Sequence, residues 1–133
     1  MITLRLYKIL KQIIYKINIL NKNKIEIVKL WENASPTSSF GKQTVSLDLS
    51  DYGLIIAYGI ESTTESKGIS ALAVKGKKHR LICLYNARQV REFTANDNGV
   101  TFENAYYSAL SGTMASNNVY MIPIAIYGIK GVQ

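Results

Sequence analysis

The chain has 133 residues, 47% of them hydrophobic, which fits one domain with a core of its own and argues against general disorder. Its formal charge of +7 is unevenly spread: residues 1–30 carry a net +6, and the remainder carries only +1. A nucleic-acid-binding domain needs a basic face on its folded part to neutralise phosphates. The nearly neutral remainder therefore argues against a nucleic-acid partner.

Residues 1–23 have the pattern of an amphipathic helix. Apolar residues recur at alternating spacings of four and three, as in a heptad repeat. The residues of this heptad seam are Leu6, Leu10, Ile13, Ile17 and Leu20. Leucine at position a with isoleucine at position d, as in Leu10 and Ile13, favours three or four helices over two.

A helix of this length is marginal on its own in water, so its apolar face must be covered. Three partners would cover it: its own domain, sister chains in a coiled coil, or a membrane surface with the lysines outward. The regular seam favours sister chains, and we expect a homotrimer with the seam as the oligomer interface. No stretch reaches the roughly 18 uninterrupted apolar residues of a membrane span. Lys11 and Lys16 interrupt the apolar region that a signal peptide would need.

From Lys24 onward the hydrophobic period changes to two, which is typical of strands. Six to eight short strands with polar loops and no second helix predict a mainly β fold, an antiparallel β-sandwich or jelly roll. The missing crossover helices exclude a parallel α/β fold. We therefore expect residues 1–23 to be an oligomerisation helix and residues 24–133 to be a β-sandwich binding domain. The strand patterns lie at 25–31, 44–49, 54–60, 69–74, 80–85, 89–95, 100–102 and 119–129.

Three local signals refine this prediction. Asn98-Gly99 is typical of a tight hairpin turn, because these residues accept positive φ angles. The strand that follows is expected to carry Phe102 and Tyr106 on one face. Pro123 cannot donate a ladder hydrogen bond, so it predicts that the last strand is an edge strand or is bulged at that point.

Several stretches resemble the C-terminal β domains of tail and fibre proteins of phages and prophages of Gram-positive and gut bacteria. They are LWENASPTS at 30–38, TVSLDL at 44–49, NGVTF at 98–102 and IPIAIYGIKG at 122–131. The resemblance covers most of the chain and consists of strands and turns, with no chemically diagnostic motif. It implies a receptor-binding-like β-sandwich on a virion, usually trimeric, that contacts host envelope glycans or another virion protein.

The sequence offers little for catalysis, and we expect a protein that is not an enzyme. Asp48 and Asp51 are the nearest carboxylate pair for acid–base work on a glycan, but both lie where aspartate commonly bonds its own turn. Cys83 and His79 would share a strand face, yet the apolar surroundings predict a small core cysteine. One histidine and one cysteine without clustered carboxylates predict no metal site, and we expect no cofactor.

Binding is the remaining class. Aromatic faces beside amide and guanidinium groups suit sugar rings, and two predicted turns carry such groups. The candidate ligand-binding residues are Tyr85, Asn86, Arg88, Tyr106 and Tyr107. We therefore expect a structural protein located on the virion that adheres to host carbohydrate or attaches to other virion proteins. The alternative is a glycan-binding or assembly module of a bacterial surface apparatus.

Overall fold

The computed structural model describes residues 2–22, 24–84 and 87–131, and within them it has one helix and nine strands. The helix is α1 (Ile2–Lys22). The strands are β1 (Glu26–Glu32), β2 (Gln43–Ser46), β3 (Leu54–Ser62), β4 (Gly68–Val74), β5 (Lys78–Leu84), β6 (Ala87–Asn96), β7 (Gly99–Ala109), β8 (Ala115–Ser116) and β9 (Tyr120–Lys130).

The strands form two antiparallel sheets, which confirms the predicted mainly β class and is consistent with a β-sandwich. The first sheet has the order β1-β9-β3-β4. The second has the order β2-β7-β6-β5, and β8 pairs with β7. Each sheet has one apolar face that points inward, so alternate residues of the central strands are buried. In β6, for example, every second side chain is buried from Ala87 to Ala95.

An aromatic cluster fills the centre of the sandwich. Phe102 has its ring centroid 5.6 Å from that of Phe40 and 5.7 Å from that of Phe93. Trp31 of the first sheet contacts the same group, 6.2 Å from Phe40. Edge-on and tilted pairs at these distances add to the apolar burial. The two sheets are thus joined through aromatic side chains from both.

The helix α1 lies outside this core. Every described side chain from Thr3 to Lys22 is exposed, and the five residues of the heptad seam are 48–71% exposed. The β-sandwich of the same chain therefore does not cover the apolar face of α1. Over the described residues, no helix combines the length and the apolar character of a membrane span.

The predicted hairpin joins β6 to β7, but its geometry differs from the expectation. Asn96 pairs with Gly99, so the two central turn residues are Asp97 and Asn98. Gly99 itself has the positive φ, 150°, and a Cβ there would collide with the carbonyl oxygen of Val45. Glycine is therefore required for the close approach of β2 to β7 as well as for the backbone angle.

A bulge in β7 explains why the faces of this strand depart from the sequence pattern. In β7 an extra residue lies between Phe102 and Ala105, opposite Arg91–Phe93. Phe102 is consequently buried while Tyr106 is exposed on the outer face, so the prediction that they share a face is wrong.

Pro123 lies in an interior strand, because β9 is paired with both β1 and β3. The edge-strand alternative is therefore wrong, and the bulge alternative is confirmed. The register of β9 shifts at this point, opposite Tyr58 and Gly59, and the side-chain amide of Asn33 donates to the Pro123 carbonyl at 2.8 Å. The bulge accommodates a residue that has no N–H to donate.

Arg91 is fully buried between the sheets and has no carboxylate partner among the described residues. Its guanidinium donates three hydrogen bonds to backbone carbonyls: Nε to Met121 at 2.8 Å, Nη1 to Glu103 at 2.6 Å and Nη2 to Tyr120 at 3.2 Å. It also lies 5.3 Å from the centroid of the Phe40 ring. One side chain of β6 thereby holds the start of β9 and the bulged part of β7.

Burial lowers the pKa of Arg91 to about 10, so the guanidinium remains charged at neutral pH. Met121, whose carbonyl it binds, has a φ of +46°, a left-handed conformation that costs a non-glycine residue free energy. The hydrogen bond from Arg91 helps to hold that conformation in place.

The register fixes two ends of the sandwich. We call the end where β1 begins the proximal pole, since Glu26 pairs there with Lys130. The opposite end is the distal pole, where Tyr120 begins β9 opposite Ser62. The 11 residues of β9 separate the poles by about 34 Å. The helix α1 is therefore joined to the proximal pole.

We expect Arg91→Met to lower the free energy of unfolding by about 2–4 kcal/mol. The variant leaves three buried carbonyls without a donor, which costs about 1–3 kcal/mol each. It also removes the free-energy cost of burying the charge, which corresponds to roughly 3 kcal/mol for the lowered pKa. The first effect is the larger. Urea unfolding followed by tryptophan fluorescence measures the change. The matched control is Arg80→Met, at an exposed arginine paired with Glu92, which should change stability by less than about 1 kcal/mol. Equal or greater stability of Arg91→Met would show that desolvation dominates.

Candidate functional site

Four polar and aromatic side chains meet between the sheets at the distal pole. We call them the distal cluster: Glu61, Gln89, Tyr107 and Tyr120. They come from four different strands, β3 and β9 of the first sheet and β6 and β7 of the second. Their contacts with one another cross from sheet to sheet, so all four point into the sandwich.

Two kinds of contact hold the distal cluster together. The Gln89 amide Nε2 donates to Glu61 Oε1 at 3.3 Å. The rings of Tyr107 and Tyr120 stack with centroids 4.3 Å apart and planes 9° from parallel. Lys67, at the rim, places its Nζ 3.8 Å from Glu61 Oε2. The carboxylate is thus partly neutralised, and the cluster has little net charge.

Two acceptor atoms of the distal cluster lack a hydrogen bond. Glu61 Oε2 and Gln89 Oε1 are both buried, and neither accepts a hydrogen bond from any described residue. Gln89 is only 4% exposed, and the Glu61 side chain is 13% exposed. Buried polar atoms are satisfied in the large majority of cases, so two unsatisfied acceptors in one cluster distinguish this place from the rest of the core.

The environment shifts the titration of Tyr120. Partial burial raises its pKa, and the neighbouring Tyr107 and the charge of Glu61 act in the same direction. A phenol beside a carboxylate and a second phenol is harder to ionise than one in water. Tyr120 is therefore held as a neutral hydrogen-bonding group across the physiological range.

The structure divides the sequence-predicted binding residues between two surfaces. Tyr107 points inward as part of the distal cluster. Tyr106 is 44% exposed on the outer face of the second sheet. Arg88, also near the distal pole, donates from Nε to Ser108 Oγ at 3.0 Å and from Nη2 to the Gly112 carbonyl at 2.6 Å. Its guanidinium thus stabilises the connection after β7. The predictions for Tyr85 and Asn86 fall outside the described residues.

Sequence reasoning missed Glu61, Gln89 and Tyr120, although the strand pattern carries a signal for Gln89 and for Glu61. Gln89 lies at spacings of four and six before Phe93 and Ala95, two core residues of β6, and so shares their inward face. Glu61 likewise follows Ala57 and Gly59 at spacing two at the end of an apolar strand. A polar residue on the inward face of an otherwise apolar strand predicts a buried polar group.

A shallow groove of about 200 Å³ lies at the end of β3, and none of its lining residues belongs to the distal cluster. It is lined by Pro36, Thr37, Ile60 and the 62–66 turn. Ser62 in this turn accepts hydrogen bonds from the backbone N–H groups of Thr64 and Glu65. The hydroxyl side chains of this turn thus lie at the same pole as the distal cluster.

Three of the groups considered for catalysis, Asp48, His79 and Cys83, have structural roles. Asp48 accepts hydrogen bonds from Ser50 N at 3.1 Å and Ser50 Oγ at 2.6 Å, and these bonds lower the pKa of Asp48. His79 Nε2 accepts from the Val74 N–H, and Cys83 packs against the apolar core. In the part of the chain that is described, no three His, Cys, Asp or Glu residues come together as a metal site would require.

We expect Tyr120 to ionise above the ordinary tyrosine pKa of about 10. Because the folded protein favours the neutral phenol, the stability that this group contributes is present below about pH 10 and is lost as the pH rises further. The difference between the near-ultraviolet pH titrations of wild type and Tyr120→Phe isolates this one phenol. The same difference measured in denaturing urea is the control and should give a midpoint near 10. Coincident midpoints in the folded and denatured proteins would contradict the assignment.

No known protein family, curated protein or solved structure matches the chain.

Proposed function

We propose that the chain is a structural protein of a phage or prophage virion, trimeric through α1, whose β-sandwich is an adhesion or decoration module. The observation that carries this proposal is the separation of two features. An uncovered heptad seam is joined to the proximal pole, and a polar and aromatic cluster occupies the distal pole. Association at one end and recognition at the other is the arrangement that such a module needs.

The seam supports association of α1 with sister chains. The 21 residues of α1 make a helix about 32 Å long, and the apolar seam runs along it in full exposure. The flanking Ile9 and Ile14 widen the apolar face, which suits a bundle of three helices better than a pair. The basic residues Arg5, Lys8, Lys11 and Lys22 lie away from the seam.

The distal pole supports binding. It lies about 34 Å from the strand end that continues into α1, so a bundle of helices at the proximal pole leaves it accessible. The resemblance of the strand and turn pattern to phage tail and fibre domains supports a place on the virion, facing host carbohydrate or another virion protein. A glycan-binding or assembly role in a bacterial surface apparatus would use the same architecture, and the composition of purified particles distinguishes the two.

We expect the full-length protein to have about three times the chain mass of 14.8 kDa in multi-angle light scattering. Ile13→Asp should shift it to a monomer, because a carboxylate at a buried seam position cannot be solvated. The matched control is Gln12→Asp, one residue away and off the seam, which should leave the mass unchanged. A monomeric wild type would overturn the trimer, and binding of that monomer to anionic lipid vesicles would instead indicate a helix that lies on a membrane surface.

Particles induced from a lysogen that carries the gene should contain this chain. Quantitative mass spectrometry of purified particles, referenced to a tail-tube protein, is expected to give a copy number that is a multiple of three. The control is the same preparation from a strain with the gene deleted. A chain that is absent from particles but present in the bacterial envelope fraction would favour the surface apparatus.

A further inference from the structure

We infer that the outer surface of the first sheet packs against the same surface of two sister chains, so that the sandwiches continue the interface that begins in α1. This inference rests on the proposed function, because it needs the trimer, and it names a surface of the β-sandwich and its partner. It combines the apolar character of this surface, its place beside α1 and its width of four strands.

The outer surface of the first sheet carries apolar side chains in rows that cross all four strands. Ile55 and Ala57 of β3 are fully buried in the core, so the residues that alternate with them point to the opposite surface. The row nearest α1 has no polar side chain, and its two ends, Ile27 and Val74, are 63% and 50% exposed. Its members are Ile27, Ile129, Leu54 and Val74, and those of the next row are Lys29, Tyr127, Ile56 and Leu72. We call these two rows the apolar face.

The second sheet has a polar outer surface at the same pole. The ion pair between Lys75, which follows β4, and Asp97, in the hairpin after β6, places that hairpin at the proximal pole. The row beside the hairpin consists of Thr44, Thr101, Thr94 and Lys78. Of the two outer surfaces at this pole, the apolar one therefore belongs to the sheet whose strand β1 is joined to α1.

The apolar face continues the heptad seam of α1. Leu20 at the end of the seam and Ile25 just before β1 are 71% and 61% exposed, and Ile27 follows at the corner of the apolar face. The seam alone has a footprint of about 320 Å², well short of the roughly 800 Å² per partner in a stable interface. Two rows across four strands add about 270 Å². The apolar face thus nearly doubles the area available for association.

The width of the first sheet suits three copies. Sheets that pack face to face lie about 10 Å apart, so each lies about 5 Å from the middle of the layer that its side chains fill. Three sheets of four strands, each about 19 Å wide, enclose a triangular prism whose walls lie about 5.5 Å from its axis. Four such sheets would place the walls about 9.5 Å from the axis and leave a hollow centre. Three sandwiches below an α1 bundle therefore close a core of their own.

The charged residues of this surface lie where the corners of the prism would meet water. Lys29 and Glu32 are on the edge strand β1, form an ion pair at 3.5 Å, and have side chains that are 47% and 65% exposed. Threefold symmetry brings unlike edges together, so β1 of one chain lies beside β4 of the next. Ile27 of one chain is then the neighbour of Val74 of the next, because the two share a row.

The first test is disulfide cross-linking of the full-length protein. Ile27→Cys and Val74→Cys are introduced together in a Cys83→Ala background, and the oxidised protein is run on a non-reducing denaturing gel. Within one chain the two positions are three strand spacings apart, about 14 Å, beyond the roughly 7 Å that a disulfide spans between Cα atoms. Any bond therefore joins two chains, and we expect products up to three chains and no larger. The control pairs Ile27→Cys with Ile82→Cys, on the outer surface of the second sheet, and should remain uncross-linked.

The second test is Leu72→Lys, followed by sedimentation equilibrium. Leu72 is 56% exposed, so a lysine there is solvated in the single chain and loses that solvation only in the oligomer. The dissociation constant of the oligomer should rise at least tenfold. The matched control is Ile82→Lys, at a 45% exposed position on the edge strand β5, which should leave the dissociation constant unchanged.

The outcomes separate this inference from the proposed function. A trimeric wild type with no cross-linked product and an unchanged dissociation constant in Leu72→Lys would overturn the inference and leave the trimer in place. Products that end at two chains would overturn the prism in favour of two sheets face to face. A monomeric wild type would overturn both, and a loss of helix in its Leu72→Lys variant would place α1 on the apolar face of its own chain.

Discussion

The hydrogen bonds of one buried guanidinium are the constraint on which the distal half of the sandwich depends. Arg91 reaches from β6 to three carbonyls, two of them at the start of β9 and one in β7. Burying its charge costs free energy, and the three carbonyls offset that cost by accepting hydrogen bonds. One of these carbonyls belongs to Met121, so its hydrogen bond to Arg91 depends on the left-handed conformation of that residue. Arg91 also donates to the carbonyl of Tyr120, and the ring of Tyr120 stacks on that of Tyr107. Arg91 thus helps to position Tyr120, one of the four residues of the distal cluster.

Much of this architecture could be predicted from the sequence, because period-two patterns and turn residues carry most of the information about strands. The helix α1, the hairpin after Asn96 and the two antiparallel sheets all follow from local chemistry. The bulges do not. An extra residue in β7 moves every side chain beyond it to the opposite face of the strand. No residue type in that part of the sequence predicts the bulge. Tyr106 and Tyr107 therefore exchanged the faces that an unbroken strand would give them.

The candidate site was predictable only in part, for a different reason. Tyr107 was identified by its residue type, but its partners Glu61 and Tyr120 lie on the opposite sheet. Which inward residues of two sheets face each other depends on how the sheets are placed, and that is a property of the whole core. Pro123 is a related case: it indicated an edge or a bulge, and only the pairing of β9 on both sides decides between them.

The connection between α1 and β1 is short, with Lys22 ending the helix and Glu26 beginning the strand. Three intervening residues reach at most about 10–14 Å even when fully extended. In the bundle of α1 helices that we propose, the proximal poles of the sandwiches would therefore be kept close together. A partner that offers several equivalent binding positions would then be held by several weak contacts at once, through effective concentration.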